Sequence, residues 1–450
     1  ILKKDQYTLF SFASKNKQLN CNLYNITKQR KMAITKKFFI TSSALALLSS
    51  AASNSSIPSS CTVKSSATAQ SDLDSLSSCK TISGTLTLSG SLINPTLNGV
   101  EVIDGDLNIE NSADIVAFNA NSLTEITGDL LLQNLTSIQT LSLDSLTSVG
   151  SISLVALPVM DNFVITSLTS ADNIVISDTA VSSLEGFNNL KEVEVFNINN
   201  NPNLVSIDSP IKSISNGLSI SSNGEDLALT FDQLIWANNI TVLGAGEVEF
   251  PLLTKVNQSI GFINNTFEYL NIDNVTQIGV TFNVVSNNEL TELSASNLKT
   301  LGGALVIANN SKLTNVTGFP SLTSIGGALD VIGPFDTFSI PKLNSIKGGA
   351  DVESNKTNFS CDALNKLEKS GKIQGNVYKC KAGSSSTTAT LSSGTSTGSA
   401  TTMSSSATGS SSSATSSSSS TKKSKGAAPT QAMNKAGLFG GLAAVAIAML

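Results

Sequence analysis

The 450-residue sequence contains no histidine, a single arginine (Arg30) and a single tryptophan (Trp236). Without histidine, the chain cannot build a Ser-His-Asp or Cys-His nucleophile arrangement or a histidine-based metal site. No glycine motif for binding phosphate or a dinucleotide is present either. The sequence therefore predicts no catalytic residue, no metal ligand and no cofactor-binding residue.

Basic residues are also scarce. Residues 61–380 contain 14 lysines, no arginine and 32 aspartates or glutamates, which gives a net charge of −18. Nucleic acid requires a basic footprint on the protein, and an anionic membrane surface attracts basic residues rather than acidic ones. This composition therefore excludes nucleic acid as a partner and predicts no contact with an anionic membrane surface.

Both ends of the chain have the composition of targeting segments. Met32 precedes two lysines, an apolar run (Phe38–Leu48) and small residues up to Ala52, which is the order of a secretory signal peptide. At the other end, Gly426-Ala427-Ala428 is followed by a short polar spacer and an apolar tail, residues 436–450. This order predicts a GPI anchor attached at Gly426. The alternative is a tail-anchoring helix, but 15 residues rise only about 23 Å, less than the roughly 30 Å hydrocarbon core.

A repeat fills the region between these segments. The segment Leu322-Thr-Ser-Ile-Gly-Gly-Ala-Leu-Asp-Val331 recurs along the chain, with thirteen units that begin between residues 79 and 343, a mean period of 22 residues. Such a period indicates a solenoid, and the alternation of apolar residues indicates strands. Helical character appears only over Asp362–Ser370. We therefore predict an all-β, right-handed parallel solenoid of about 13 coils, a rod of about 60 Å.

Four cysteines flank the predicted solenoid, in two close pairs. Bridged Cα atoms lie within about 7 Å, so cysteines at opposite ends of such a rod cannot pair. Because secreted proteins favour disulfides, we expect the bridges Cys61–Cys79 and Cys361–Cys380, each closing one terminal coil. The alternative is that the four cysteines are free, buried thiols.

Asparagine follows the main strand of many units. We interpret these residues as left-handed corners whose amides stack between coils, with a ligand-binding ladder as the alternative. They are Asn111, Asn134, Asn223, Asn264, Asn309 and Asn355.

Sugar attachment is predicted at two kinds of site. The Asn-x-Ser/Thr sequon occurs at Asn54, Asn134, Asn239, Asn257, Asn264, Asn274, Asn309, Asn315, Asn355 and Asn358. In addition, 29 of the 38 residues from 384 to 421 are serine or threonine. A segment so poor in apolar residues does not fold, and we expect it to form a disordered, O-glycosylated stalk.

Paired carboxylates leave one enzymatic class open, glycoside hydrolysis. Asp104 with Asp106, and Glu247 with Glu249, are i, i+2 pairs that we expect to share a strand face. Because the acidic residues are scattered, we interpret them as solvated surface groups. We likewise expect Trp236 to fill the irregular unit that begins at residue 234, with stacking on a sugar as the alternative.

These features divide the chain into five segments: residues 1–31, an upstream extension from a mispredicted start; 32–52, the signal peptide; 53–380, the solenoid; 381–425, the stalk; and 426–450, the GPI signal. The combination resembles the fungal GPI-anchored cell-wall proteins of the extracellular-mutant type and their sporulation-specific relatives. That resemblance implies a receptor L-domain-like or leucine-rich-repeat-like solenoid at the plasma membrane and wall, with wall polysaccharide or mannoproteins as partners. It also implies a non-enzymatic role in wall organisation and integrity. The alternatives are an adhesin or sensor that binds wall glycan or a protein and, third, a wall glycosidase.

Overall fold

The computed structural model describes residues 57–390. The predicted signal peptide, the sequon at Asn54, most of the stalk, Gly426 and the apolar tail lie outside the described residues. Within them, no helix is both long and apolar enough to cross a membrane.

The described chain consists almost entirely of short strands. Two helices, α1 (Gln70–Asp74) and α2 (Asp362–Lys369), and two 3-10 turns (Ser59–Cys61 and Glu185–Phe187) accompany them. In chain order the strands are β1 Thr81–Ser83, β2 Leu86–Leu88, β3 Val102–Asp104, β4 Leu107–Glu110, β5 Ala117–Asn119, β6 Glu125–Gln133, β7 Thr140–Ser142, β8 Ser148–Leu157, β9 Asn162–Val164, β10 Ser170–Thr179, β11 Glu192–Asn199, β12 Ser206–Asp208, β13 Ser213–Ser221, β14 Leu227–Thr230, β15 Trp236–Ala237, β16 Ile240–Leu243, β17 Ala245–Glu249, β18 Lys255–Val256, β19 Ile260–Ile263, β20 Tyr269–Asn271, β21 Gln277–Ile278, β22 Phe282–Val285, β23 Glu292–Ser294, β24 Thr300–Leu301, β25 Leu305–Ala308, β26 Asn315–Val316, β27 Ser324–Ile325, β28 Leu329–Gly333, β29 Thr337–Phe338, β30 Ser345–Ile346, β31 Ala350–Ser354, β32 Val377–Ala382 and β33 Ser385–Thr390.

The strands stack into three parallel ladders, which confirms the predicted β-solenoid. The first ladder begins with β1 and β3 and ends with β27 and β30; the second begins with β2 and β4 and ends with β28, β31 and β32. In β6, β8, β10, β11 and β13 one long strand serves both ladders. Shorter sheets, such as β5–β7–β9 and β12–β14–β17, form the third ladder.

The period of the solenoid is that predicted from the sequence. From Leu88 to Val352 the second ladder contains thirteen strands in continuous register, so twelve turns span 264 residues at a mean of 22. Each turn brings its strand back beside the previous one, because parallel strands must lie about 4.8 Å apart to form their hydrogen bonds.

One continuous apolar core runs along the inside of the coils. Inward positions such as Leu107, Ile109 and Leu329 are fully buried, whereas the residues between them face outward. Phenylalanine rings from successive coils also meet inside, for example Phe231 with Phe196 at 5.8 Å and with Phe250 at 5.9 Å between ring centroids. Since a single coil has no partner for its apolar side, each coil depends on its two neighbours.

In most coils glycine occupies the corner between the first and second ladders, where successive coils approach closely. A Cβ placed on Gly302 would lie 1.9 Å from the carbonyl oxygen of Gly279, and one placed on Gly326 would lie 2.1 Å from that of Gly302. No side chain fits at these two positions, which explains the glycine pairs of these coils.

Both ends of the solenoid are closed by a disulfide, with the predicted pairing. Cys61 bonds Cys79 with a Cα–Cα distance of 5.7 Å, and Cys361 bonds Cys380 with 5.9 Å. Helix α1 lies within the first of these loops and helix α2, which the sequence predicts, within the second. These segments cover the terminal coils, whose core and strand edges would otherwise meet water.

The second ladder continues into the beginning of the serine- and threonine-rich region. β33 (Ser385–Thr390) pairs with β32 in antiparallel register, with Lys379 opposite Thr388 and Lys381 opposite Ser386. The sheet thus extends past residue 381, where the sequence analysis places the start of the stalk.

The inward register generates the first prediction. Leu329→Asp places an unpaired charge among stacked coils where the wild-type side chain is fully buried, so we expect a loss of about 4 kcal/mol in the free energy of unfolding. Thermal unfolding and surface display measure the effect. The outward-facing Thr241→Asp, in β16 of the same ladder between Ser219 and Gly261, is the control and should leave both nearly unchanged. Normal unfolding of Leu329→Asp would show that the register is wrong.

Candidate functional site

The corner asparagines lie where the sequence analysis placed most of them. Asn111, Asn134, Asn264 and Asn309 have φ between 51° and 59°, directly after strands of the second ladder. The same corner is formed by other residues in other coils, among them Ala156 and Ser286. Because serine, aspartate and alanine also occupy this position, the corner is a backbone requirement that asparagine meets most often, rather than a ligand-binding ladder. Of the two remaining candidates, Asn223 follows the corner residue Ser222, and Asn355 lies outside this set.

A second asparagine ladder lies one residue further along, inside the solenoid. Asn265, Asn287 and Asn310 are buried, and each amide oxygen accepts the backbone N–H of the previous coil, with N–O distances of 2.8 to 2.9 Å. Each Nδ2 donates to a carbonyl of an earlier strand, as Asn287 does to Phe262 at 3.0 Å. Asn201 and Asn223 form the same pattern. The sequence pattern did not predict this ladder, although residues 200–201, 264–265 and 309–310 are Asn-Asn pairs.

The inner ladder generates the second prediction. Asn287→Ala leaves the backbone N–H of Asn265 and the carbonyl of Phe262 buried without partners. We expect the free energy of unfolding to fall by about 3 kcal/mol, measured by thermal or chemical denaturation. Asn288→Ala, at the exposed neighbouring position, is the control. Equal stability of the two variants would mean that the ladder contributes no stability.

The two candidate carboxylate pairs differ in the structure. Asp104 ends β3 and Asp106 precedes β4, with the corner Gly105 between them, so the expectation that they share one strand is wrong. Asp106 accepts hydrogen bonds from the Thr85 hydroxyl at 3.1 Å and the Asp129 N–H at 3.0 Å. Glu247 and Glu249 do share the exposed face of β17. Asp106 therefore joins adjacent coils, and only the glutamate pair faces an open groove.

That groove, of about 680 Å³, lies between β17 and β20 on the third ladder. Its lining includes Glu247, Glu249, Glu268 and the ring of Tyr269, which is 62% exposed. Burial tends to raise the pKa of Asp273 on the same wall, but the Ser294 hydroxyl and the Ser296 N–H, at 2.6 and 2.7 Å, lower it overall. A glycosidase needs a carboxyl group that stays protonated as a proton donor. Asp273, held ionised, does not supply one.

Trp236 lies outside the core. It is half-buried on the outer side of β15, in register between Ser213 and Lys255, while the inward position is taken by the fully buried Ala237. The indole therefore does not fill the interior of its unit, as we expected from the sequence.

A compact charged cluster occupies the outer face of the last coils. Asp330 pairs in register with Asp351, and Asp351 with Lys379, whose ammonium lies 3.8 Å from the Asp351 carboxylate and also contacts Glu353. One oxygen of Asp330 and one of Asp351 are shut off from solvent without a donor among the described residues. Burial raises the pKa of Asp351 to about 6, against the opposing charge of Lys379, and burial also raises the pKa of Asp330.

The cluster generates the third prediction. Because its pKa in the folded protein is above the ordinary value, Asp351 holds a proton that the unfolded chain releases between about pH 4 and pH 6. The contribution of this residue to stability therefore increases as the pH falls through 6 towards 4. Asp351→Asn should flatten this part of the curve of unfolding temperature against pH, whereas the exposed Asp232→Asn should not. An unchanged slope in Asp351→Asn would contradict the assignment.

The predicted N-glycosylation sites are accessible. Within residues 57–390, eight of the nine sequon asparagines are exposed and Asn239 is half-buried. The exposed ones are Asn134, Asn257, Asn264, Asn274, Asn309, Asn315, Asn355 and Asn358. Attachment at these positions stays a prediction.

Across residues 57–390 no group of three or more cysteine, aspartate or glutamate side chains is arranged to hold a metal ion. The four cysteines described there are consumed by the two disulfides.

Comparison with known proteins finds relatives among fungal surface proteins. The chain is 45% identical over 296 residues to cell wall mannoprotein PST1 of Saccharomyces cerevisiae, a match that covers 66% of each chain. It is 33% identical over 241 residues to sporulation-specific protein 22 of the same species, covering 53% of this chain and 52% of that one. With the cell surface GPI-anchored protein ECM33 of Candida albicans it shares 34% identity over 197 residues, 43% of this chain and 48% of that one.

These matches span from about half to just under two thirds of the relatives' length. No family model matches the chain. Among solved structures, a leucine-rich repeat protein from Bacteroides ovatus aligns with 66% of this chain and 91% of its own, at 10% identity and a TM-score of 0.23. The strand register described above, and not this match, establishes the fold.

Proposed function

We propose that this chain, which belongs to the fungal family of cell-wall mannoproteins, sporulation-specific proteins and GPI-anchored cell-surface proteins, is a structural glycoprotein of the cell surface. It reaches the surface through the secretory pathway, is anchored in the outer leaflet through GPI at Gly426, and contributes to the organisation of the cell wall without catalysing a reaction.

One observation carries the non-catalytic part of this proposal: the regularity of the solenoid. The residues that repeat from coil to coil all have packing roles, as inward apolar residues, corner glycines and the inner asparagine ladder. An enzyme concentrates its chemistry in a few irregular residues that touch the substrate. Here the best-placed carboxylates, Glu247 and Glu249, are exposed side chains on an open groove.

The fourth prediction separates a scaffold from an enzyme. A strain that lacks the gene is complemented with Glu247→Gln/Glu249→Gln, or with Asp104→Asn/Asp106→Asn, and scored for growth under cell-wall stress. We expect both double variants to restore growth as well as the wild type, because neither pair serves chemistry. If the glutamate variant folds and reaches the surface but fails to restore growth, a glycosidase should replace this proposal.

The anchor provides the matched loss-of-function control in the same strain. A chain truncated before Gly426 keeps the solenoid but loses the attachment signal, so it should be secreted into the medium and should not restore growth. Full restoration by the truncated chain would show that the role does not depend on anchoring.

A further inference from the structure

The outer face of the second ladder is the part of the solenoid that the sequons leave free. None of the nine described sequon asparagines lies on an outward position of these strands. Asn264 and Asn309 lie at the corner directly after β19 and β25, and Asn239 directly before β16. N-glycans are bulky and keep partners off the surface that carries them. Sugars at these positions would border the face along both edges and leave its middle open.

The central part of this face is also uncharged. We call it the neutral face: the outward side chains of the eight second-ladder strands from β8 to β25, which begin with Ser153 and Val155 and end with Val306 and Ala308. Its two outward rows, from Ser153 to Val306 and from Val155 to Ala308, contain only serine, threonine, asparagine, glycine and aliphatic residues, and Asp178, at the corner after Ser177, borders them. The two rows carry no charge although residues 61–380 have a net charge of −18. At strand spacing it measures about 35 Å along the solenoid and about 13 Å across.

The composition of the neutral face does not fit a protein partner. Protein interfaces concentrate their energy in aromatic, methionine and arginine side chains and are depleted in serine and alanine. The neutral face has none of the first group. It presents hydroxyl and amide groups, which both donate and accept hydrogen bonds, as sugar hydroxyls do. Ser219, Thr241 and Asn283 are half-buried there, and their side chains make no hydrogen bond within residues 57–390.

The arrangement of these groups fits a polymer. Successive strands repeat the same outward positions about every 4.8 Å along the solenoid, so a ligand that itself repeats can make the same contact many times. We propose that the neutral face binds a long, uncharged polysaccharide chain laid along the solenoid axis. This inference rests on the proposed place of the protein in the cell wall, where such a polymer is the surrounding material.

The absence of aromatic rings from the neutral face makes the binding depend on chain length. Stacking of a sugar ring on an aromatic side chain would give a strong local contact, and here only hydrogen bonds and small aliphatic contacts are offered. Each sugar therefore contributes little, and affinity accumulates only when one chain engages many strands at once. Short oligosaccharides should compete poorly against the polymer.

The test inserts a glycan into the neutral face. Ser219→Asn creates a sequon with Ser221, in the middle of β13, by a single substitution. Glu292→Asn creates a sequon of the same form with Ser294, on the exposed side of β23 in the third ladder, and is the matched control. Both full-length mature proteins are purified from the cell surface, and a mass shift that an endoglycosidase removes verifies each new glycan. Sedimentation with insoluble linear β-glucan and with chitin then measures binding.

We expect the wild type and Glu292→Asn to sediment with at least one of the polysaccharides, and Ser219→Asn to bind about tenfold or more weakly. Removing the glycan should restore binding. If position 219 is not glycosylated in Ser219→Asn, the double variant Ser219→Arg/Thr241→Arg blocks the same face instead. It should also bind about tenfold or more weakly than the wild type. Short gluco-oligosaccharides should not displace the wild type or Glu292→Asn from the polymer.

Three results would overturn the proposal: no binding of the wild type to either polysaccharide, equal binding of wild type and Ser219→Asn, or self-association of the wild type that Ser219→Asn abolishes without any polysaccharide binding. The last would make the neutral face a contact between copies of this chain. The wall-stress assay is scored separately, so failure to bind glycan and failure to organise the wall remain distinguishable.

Discussion

The backbone hydrogen bonds between successive coils determine the positions of the core, the corners and the outer faces of the solenoid. A parallel ladder requires that the chain return to the same place after each turn, offset by one strand spacing. That requirement determines where side chains can point. Leu88, Ile109 and Leu132 follow one another in register and are buried, whereas Thr87, Asn108 and Leu131 follow one another on the outside. The core, the corners and the outer faces are consequences of this register.

The same requirement explains which residues cannot vary in size. At the corner between the first two ladders, the carbonyl of one coil occupies the space of a side chain on the next, as at Gly279 and Gly302. Past the second ladder the chain turns through a left-handed corner and then buries an amide, as at Asn264 and Asn265. An inward amide satisfies both the previous coil's N–H and an earlier carbonyl, which an apolar residue could not do.

Features that repeat in the sequence were predictable from it, and features that depend on one coil were not. The 22-residue period places the inward leucines and isoleucines, and the rod length predicts both disulfides. The inner ladder was missed because its asparagines are adjacent to the corner asparagines, and only the three-dimensional turn shows which one points inward. Gly105 separates Asp104 from Asp106 through a corner that alternation alone does not reveal. At β15 the register places Ala237, and not the larger Trp236, in the core, which residue type alone does not show.

In this account the outside of the solenoid is divided by chemistry. Carboxylates are spread over the coils. Sequons lie at corners, in turns and on the third ladder, whereas the outer face at the centre of the second ladder carries neither charge nor sequon. A surface organised in this way suits contact distributed along a rod better than recognition at one point. The terminal coils, closed by disulfides, keep the ends of the rod from pairing with other chains.

The claim on which all of this rests is that one coil is the unit of the structure, and deletion of a single coil measures it most directly. Removing residues 264–285 joins Ile263 to Ser286, which continues the register because Ile263 and Val285 are partners in adjacent strands. This chain should fold, retain both disulfides and unfold cooperatively with modestly reduced stability. Removing only residues 264–274 breaks the register and should abolish folding and surface display. Equal tolerance of the two deletions, or failure of both, would contradict the account.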